Sequence, residues 1–141
     1  VAAPENNVID VESDDAVMNK AIADARASVD HFITEMNKAE PDTIYSIKAT
    51  FTQGTKTEHM WLIDLSYEGT AFTGTLNNEP RDVTHVKLGD KATVDRSEIS
   101  DWLITAPDGK LHGGYTIRAL LPTMPANERE TFETMLAPLP K

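Results

Sequence analysis

Apolar residues recur in steps of four and three through the first third of the chain: Met18, Ile22, Ala25, Val29, Phe32 and Met36. That spacing draws one apolar stripe along a helix of about six or seven turns. Lys20, Asp24, Arg26 and Asp30 lie outside the stripe. Ser13-Asp14-Asp15 puts a capping residue and two acids at the helix start, where the exposed amides and the dipole favour them. Pro41 ends the segment. The stripe predicts a long helix over 14–38 packed on a sheet, because two to three heptads are short for a coiled coil.

The period then changes to two. Tyr45, Ile47, Ala49 and Phe51 alternate with Ser46, Lys48, Thr50 and Thr52, as in a strand with one buried face. Gln53-Gly54-Thr55-Lys56 makes a turn. His59 to Leu65 is apolar on both faces and belongs centrally in the sheet. Gly69 turns the chain into a third strand over 71–76, where Phe72, Gly74 and Leu76 share a face. Asn77 to Asp82 is a loop by composition. Further strands are expected over 86–95, broken at Gly89, then at Trp102-Leu103-Ile104 and over 111–115, the last two around the Asp108-Gly109 turn. Ser97, Ser100 and Asp101 read as turn formers. Thr116 reads as the cap of a short helix ending at Pro122, and Glu128 to Leu136 as a last amphipathic helix. The expected fold is α+β: a long N-terminal helix on a curled, mainly antiparallel sheet, with a short C-terminal helix. Residues 1–12 read as a flexible leader and 13–141 as one domain.

With 13 basic and 23 acidic residues the net charge is −10. Such a field repels phosphate backbones and anionic lipid, so nucleic acid is not an expected partner. No apolar run reaches the length of a membrane-spanning helix, and no membrane insertion is expected. A protein with a basic surface is the partner that the charge permits. There are no cysteines, which removes disulfides, thiolate metal sites and cysteine nucleophiles. Val1 to Asn7 resembles the polar start of an exported mature protein, periplasmic or secreted, with a cytoplasmic chain as the alternative. Oligomeric state is not legible.

Four segments occur in order: Glu58-His59-Met60-Trp61, Gly74 to Pro80, Leu88-Gly89-Asp90 leading to Ile99-Ser100-Asp101-Trp102, and Gly113 to Arg118. Together they resemble the YegJ-like family of bacterial proteins of unknown function over roughly residues 44–121. The resemblance implies a bacterial protein, some of whose relatives carry export signals. It implies no catalytic or binding residues.

Candidate chemistry is sparse. The four histidines, His31, His59, His85 and His112, form no His-x-His or His-x-x-x-His pair, so no metal and no cofactor is expected. Glu58 and His59 fall on opposite faces of a strand. No serine sits in a Gly-x-Ser-x-Gly elbow. The loop Asn77-Asn78-Glu79-Pro80-Arg81 offers two amides, a carboxylate and a guanidinium on a stretch stiffened by Pro80. Trp61 and Trp102 are expected in the core, with Asp101 and Trp102 as rim candidates should the indole be exposed. The leading reading is a non-enzymatic binding or interaction module using Asn77, Asn78, Glu79, Arg81, Asp101 and Trp102. One rival is a small hydrolase or metal-dependent enzyme using His59, His85 or His112 with Glu58, Glu79 or Asp101. Another is an acidic partner that neutralises a basic protein such as a toxin.

Overall fold

The computed structural model describes residues 15–140. The expected leader over 1–12, the Val1–Asn7 start, and Ser13 and Asp14 of the expected helix cap lie outside them. Asp15 caps the first helix, its carboxylate accepting from the Met18 amide at 3.0 Å. The stripe is buried as its period requires: Met18, Ala25, Val29 and Phe32 are all under 5% exposed. The expected single helix is, however, two, α1 (Ala16–Ala27) and α2 (Val29–Lys38). The chain breaks at Ser28, whose hydroxyl reaches back to the Asp24 and Ala25 carbonyls and also accepts the Trp102 indole N–H at 2.9 Å. A hydroxyl bonded to its own helix backbone bends that helix, and satisfying a buried indole adds a tertiary reason for the bend.

Six antiparallel strands follow: β1 (Ile44–Gln53), β2 (Lys56–Glu68), β3 (Ala71–Leu76), β4 (Lys91–Asp95), β5 (Ile99–Thr105) and β6 (Leu111–Gly113). They lie in the order β4-β3-β2-β1-β5-β6, an open sheet. The fold is α+β. β4 covers only the end of the segment expected as strand, because residues 77–90 are tied down as a loop. β2 changes phase at Asp64, which has a φ of 53°, and its register with β3 shifts between Ile63 and Ser66. This bulge lets Leu65 and Tyr67 join Met60 and Leu62 against the helices. β5 is longer than expected, since Ser100 and Asp101 are buried within it rather than shaping a turn.

One sheet face, with Ile47, Ala49, Phe72 and Trp102, packs under α1 and α2 around Phe32. Phe32 stacks at 5.4 Å from Trp102 and 6.0 Å from Phe72 between ring centres. On the other face Trp61, Leu103 and Leu111 meet Ile117 of α3 (Tyr115–Leu120) and Phe132 of α4 (Ala126–Met135). The two faces account for both tryptophans as core residues.

The chain leaves β6 through Gly113 and Gly114, with φ of 86° and 65°. A Cβ at Gly113 would stand 2.5 Å from the Trp102 ring and carbonyl, so only glycine lets the backbone cross there. Thr116 does not cap the helix that follows. It lies inside α3, and the free amides of Tyr115 and Thr116 are taken at 2.9 Å each by Asp101, a carboxylate from the neighbouring strand.

Candidate functional site

The loop from Asn77 to Asp90 is held in one shape by side chains of the strands beneath it. Asn77 donates its amide to the Trp61 carbonyl at 2.8 Å, and Asn78 Oδ1 accepts from the Trp61 amide at 2.6 Å. Asn78 thereby extends the pairing of β2 with a side chain in place of backbone. Glu58 then accepts from three successive amides, Arg81, Asp82 and Val83, at 2.9, 2.6 and 2.6 Å. Burial pushes the Glu58 carboxyl up, but the three amides and the Arg81 charge outweigh it and hold it below its ordinary value. Gln53 takes the Thr84 amide at 2.7 Å. The far end closes on itself, with Lys87 donating its amide to the Asp90 carboxylate and Leu76 donating to the Asp90 carbonyl.

A groove of about 330 Å³ runs along this loop, lined by Glu79, Pro80, Val83, Thr84, Val86, Lys87 and Leu88. Val83 is buried beneath it, and Leu88 is 56% exposed at its lip. The arrangement is an open groove in which Pro80, Val83, Val86 and Leu88 alternate with Glu79, Thr84 and Lys87. A preformed concave surface of this size suits one large apolar side chain or a small ligand.

The expected site residues divide. Asn77, Glu79 and Arg81 are exposed on the loop, and Glu79 lines the groove. Asn78 is 1% exposed, which corrects its expected place on the surface: its carbonyl is needed by the Trp61 amide. Asp101 and Trp102 are each 0% exposed and stand in the core, far from any rim. The histidines do not converge. His31 and His112 are exposed on α2 and β6, His85 is exposed on the loop, and His59 is half-buried on β2. Among the described residues no three His, Asp or Glu come together to hold a metal ion. The acids expected to serve the histidines have other work: Glu58 holds the loop, and Asp101 holds α3 and the Trp102 amide.

Sequence reasoning missed Val83, Val86, Lys87 and Leu88. Val86 and Leu88 alternate as in a strand, and the bonds to Glu58, Gln53 and Asp90 make a loop of the segment instead. It also missed a second cluster, on the sheet face that carries α3. There Lys48 pairs in register with Trp61 of β2 and Asp101 of β5. Its ammonium donates to Thr116 Oγ1 at 2.6 Å and lies 5.5 Å from the centre of the Trp61 ring. Thr116 Oγ1 in turn donates to Asp101 Oδ2 at 2.6 Å. Burial pushes Asp101 up and Lys48 down, each opposed by the other's charge. Beside them His59 Nδ1 is 3.0 Å from Ser100 Oγ. Burial, with the charges of Lys48 and Arg26, lowers His59 to about 4.

The chain is an α+β fold with a groove along a braced loop and, among its described residues, no helix long and apolar enough to cross a membrane. The chain belongs to the family described as "Uncharacterized protein conserved in bacteria (DUF2314)", matched over residues 15–137. The relationship therefore takes in α1 and α4 as well as the central stretch that carried the resemblance. The chain is 41% identical over 123 residues to the uncharacterized protein YegJ of Escherichia coli (strain K12), covering 87% of this chain and 79% of that one. It is 34% identical over 128 residues to a putative ankyrin repeat protein of Neisseria meningitidis serogroup B, covering 84% of this chain and 50% of that one. No solved structure matches it.

Proposed function

We propose that the domain is a protein-binding module that receives an apolar side chain of its partner in the groove of the 77–90 loop. The observation that carries this reading is the groove itself: a concave surface with valines at its base and an exposed leucine at its lip, on a loop whose backbone is fixed by a buried carboxylate. Fixing the loop before binding removes an ordering cost that a flexible loop would meet on association. Glu79 at the rim and the net charge of −10 favour a partner with lysine or arginine beside its apolar anchor. The relative named as a putative ankyrin repeat protein agrees with an interaction role, since ankyrin repeats stack into extended binding surfaces.

The test is peptide-display selection against the whole chain, followed by affinity measurement on wild type and on Leu88→Asp. Enriched peptides should carry an apolar anchor with a basic neighbour. They should bind Leu88→Asp at least about tenfold more weakly, a loss of roughly 1.4 kcal/mol. Equal binding to both proteins would remove the groove from the account.

A further inference from the structure

The second cluster offers a different surface. Lys48, Thr50, His59 and Trp61 share one face of β1 and β2, because Lys48 pairs with Trp61 and Thr50 with His59. Lys48 and His59 are thus diagonal neighbours, with Cα atoms roughly 7 Å apart in such a pairing. The register of β1 with β5 slips between Lys48 and Ala49, leaving Ser100 as the extra residue between partners Ile99 and Asp101. That bulge turns the buried Ser100 hydroxyl onto His59 Nδ1, so that Nε2 is the ring nitrogen left for a ligand. Arg26 of α1 arrives at the same place, its Nε donating to the Ile99 carbonyl at 2.7 Å. Three nitrogen-bearing side chains from three elements therefore surround one irregularity in the sheet.

Donors exceed acceptors there. An ammonium has three N–H donors, and Lys48 spends one on Thr116. Asp101 cannot take the others, since its oxygens already accept from the Trp102, Tyr115 and Thr116 amides and the Thr116 hydroxyl. Lys48, Thr50 and His59 are each half-buried, and burial desolvates the Lys48 ammonium and the His59 ring. We propose that Lys48, His59 and Arg26, gathered around the Ser100 bulge, form a binding site for a single oxyanion, a carboxylate or a phosphate. The overall charge is no obstacle, because the charges acting on His59 are those of Lys48 and Arg26. A local positive cluster in an acidic chain would select small or terminal anions and still repel a polyanionic backbone.

The experiment is an NMR titration of the whole chain with sodium phosphate and, separately, sodium acetate, at constant ionic strength set with chloride. The His59 ring and the Ser100 amide are followed. The expected result is a saturable shift at both, with the His59 pKa raised by about one unit when the anion is bound. Lys48→Met should weaken binding by about tenfold and Arg26→Gln by about threefold, as the loss of charge-assisted hydrogen bonds does. Tighter binding of phosphate points to a phosphorylated ligand and tighter binding of acetate to a carboxylate. Should Lys48→Met fail to fold, Arg26→Gln and the anion-dependent His59 pKa still decide. Non-saturating shifts at millimolar anion, or affinity unchanged in Arg26→Gln with an unmoved His59 pKa, would overturn the proposal. The groove of the 77–90 loop is a separate surface, so the two readings stand or fall independently.

Discussion

Replacing Glu58 by glutamine tests how the groove is built. The substitution keeps volume and one carbonyl oxygen, which can still accept from Asp82 and Val83. It replaces the oxygen facing the Arg81 amide, 2.9 Å away, by an NH₂ group, so donor faces donor. Losing one partner of a charged hydrogen bond costs about 1.5–3 kcal/mol, and an unsatisfied buried donor costs a similar amount. Arg81 and Asp82 are exposed, so water recovers part of this. The expected net loss for Glu58→Gln is about 2 kcal/mol, and for Glu58→Ala, which orphans all three amides, about 3–4 kcal/mol. Urea unfolding should show a midpoint for Glu58→Gln roughly 1 M lower, given a slope of about 1–3 kcal/mol per molar for a small domain. Hydrogen exchange should show lost protection at the amides of 81–83 before other sites. The folded carboxyl is held below its unfolded value, so its contribution is complete above the unfolded pKa and is lost as pH falls through the folded one. Glu58→Gln should lack that acid limb. An unchanged midpoint with intact protection at 81–83 would mean that the loop holds its shape by other means.

Three further outcomes follow from the packing. His59 titrates at about 4 in the fold against about 6.5 unfolded, so the neutral ring is the one that the fold needs. Its contribution to stability is complete above pH 6.5 and is lost as pH drops towards 4, because burial and the charges of Lys48 and Arg26 oppose the protonated ring. The loss is at most about 3 kcal/mol, less for a half-exposed ring, and pH-dependent unfolding of His59→Gln should lack it. Phe32→Ala removes the ring on which Trp102 and Phe72 stack and should cost about 3–5 kcal/mol in denaturant unfolding; an unchanged midpoint would put the stripe outside the core. Gly113→Ala drives a methyl to 2.5 Å from Trp102 at a positive φ and should cost at least about 2 kcal/mol, seen as a lowered Tm.

What the chain disclosed in advance was its periodic part. Met18, Ala25, Val29 and Phe32 mark a helix face because period alone encodes it, and the alternation from Tyr45 to Phe51 marks a strand for the same reason. The break at Ser28 was hidden, because it depends on the Trp102 indole, 74 residues away. Glu58, Asn78 and Asp101 misled for one shared reason. Polar residues read as surface or catalytic, whereas each of these is buried to satisfy backbone amides of a distant segment. The loop from Asn77 to Arg81 was legible as a candidate surface from its turn-forming residues. The groove was not, since Val83, Val86 and Leu88 become a wall only once Glu58 has folded the loop over β2. Lys48 was concealed by its place on the polar side of an alternating strand, where α3 and Trp61 cover what an isolated strand would expose.

The central claim is that the pre-shaped 77–90 groove is where this domain meets its partner. Methyl NMR of the whole chain, titrated with the tightest peptide from selection, tests it most directly. The account predicts that the methyls of Val83, Val86 and Leu88 shift together along one saturation curve while those of Ile47 and Leu103 in the core stay still. Saturable shifts gathered elsewhere, with Val83, Val86 and Leu88 unmoved, would contradict it.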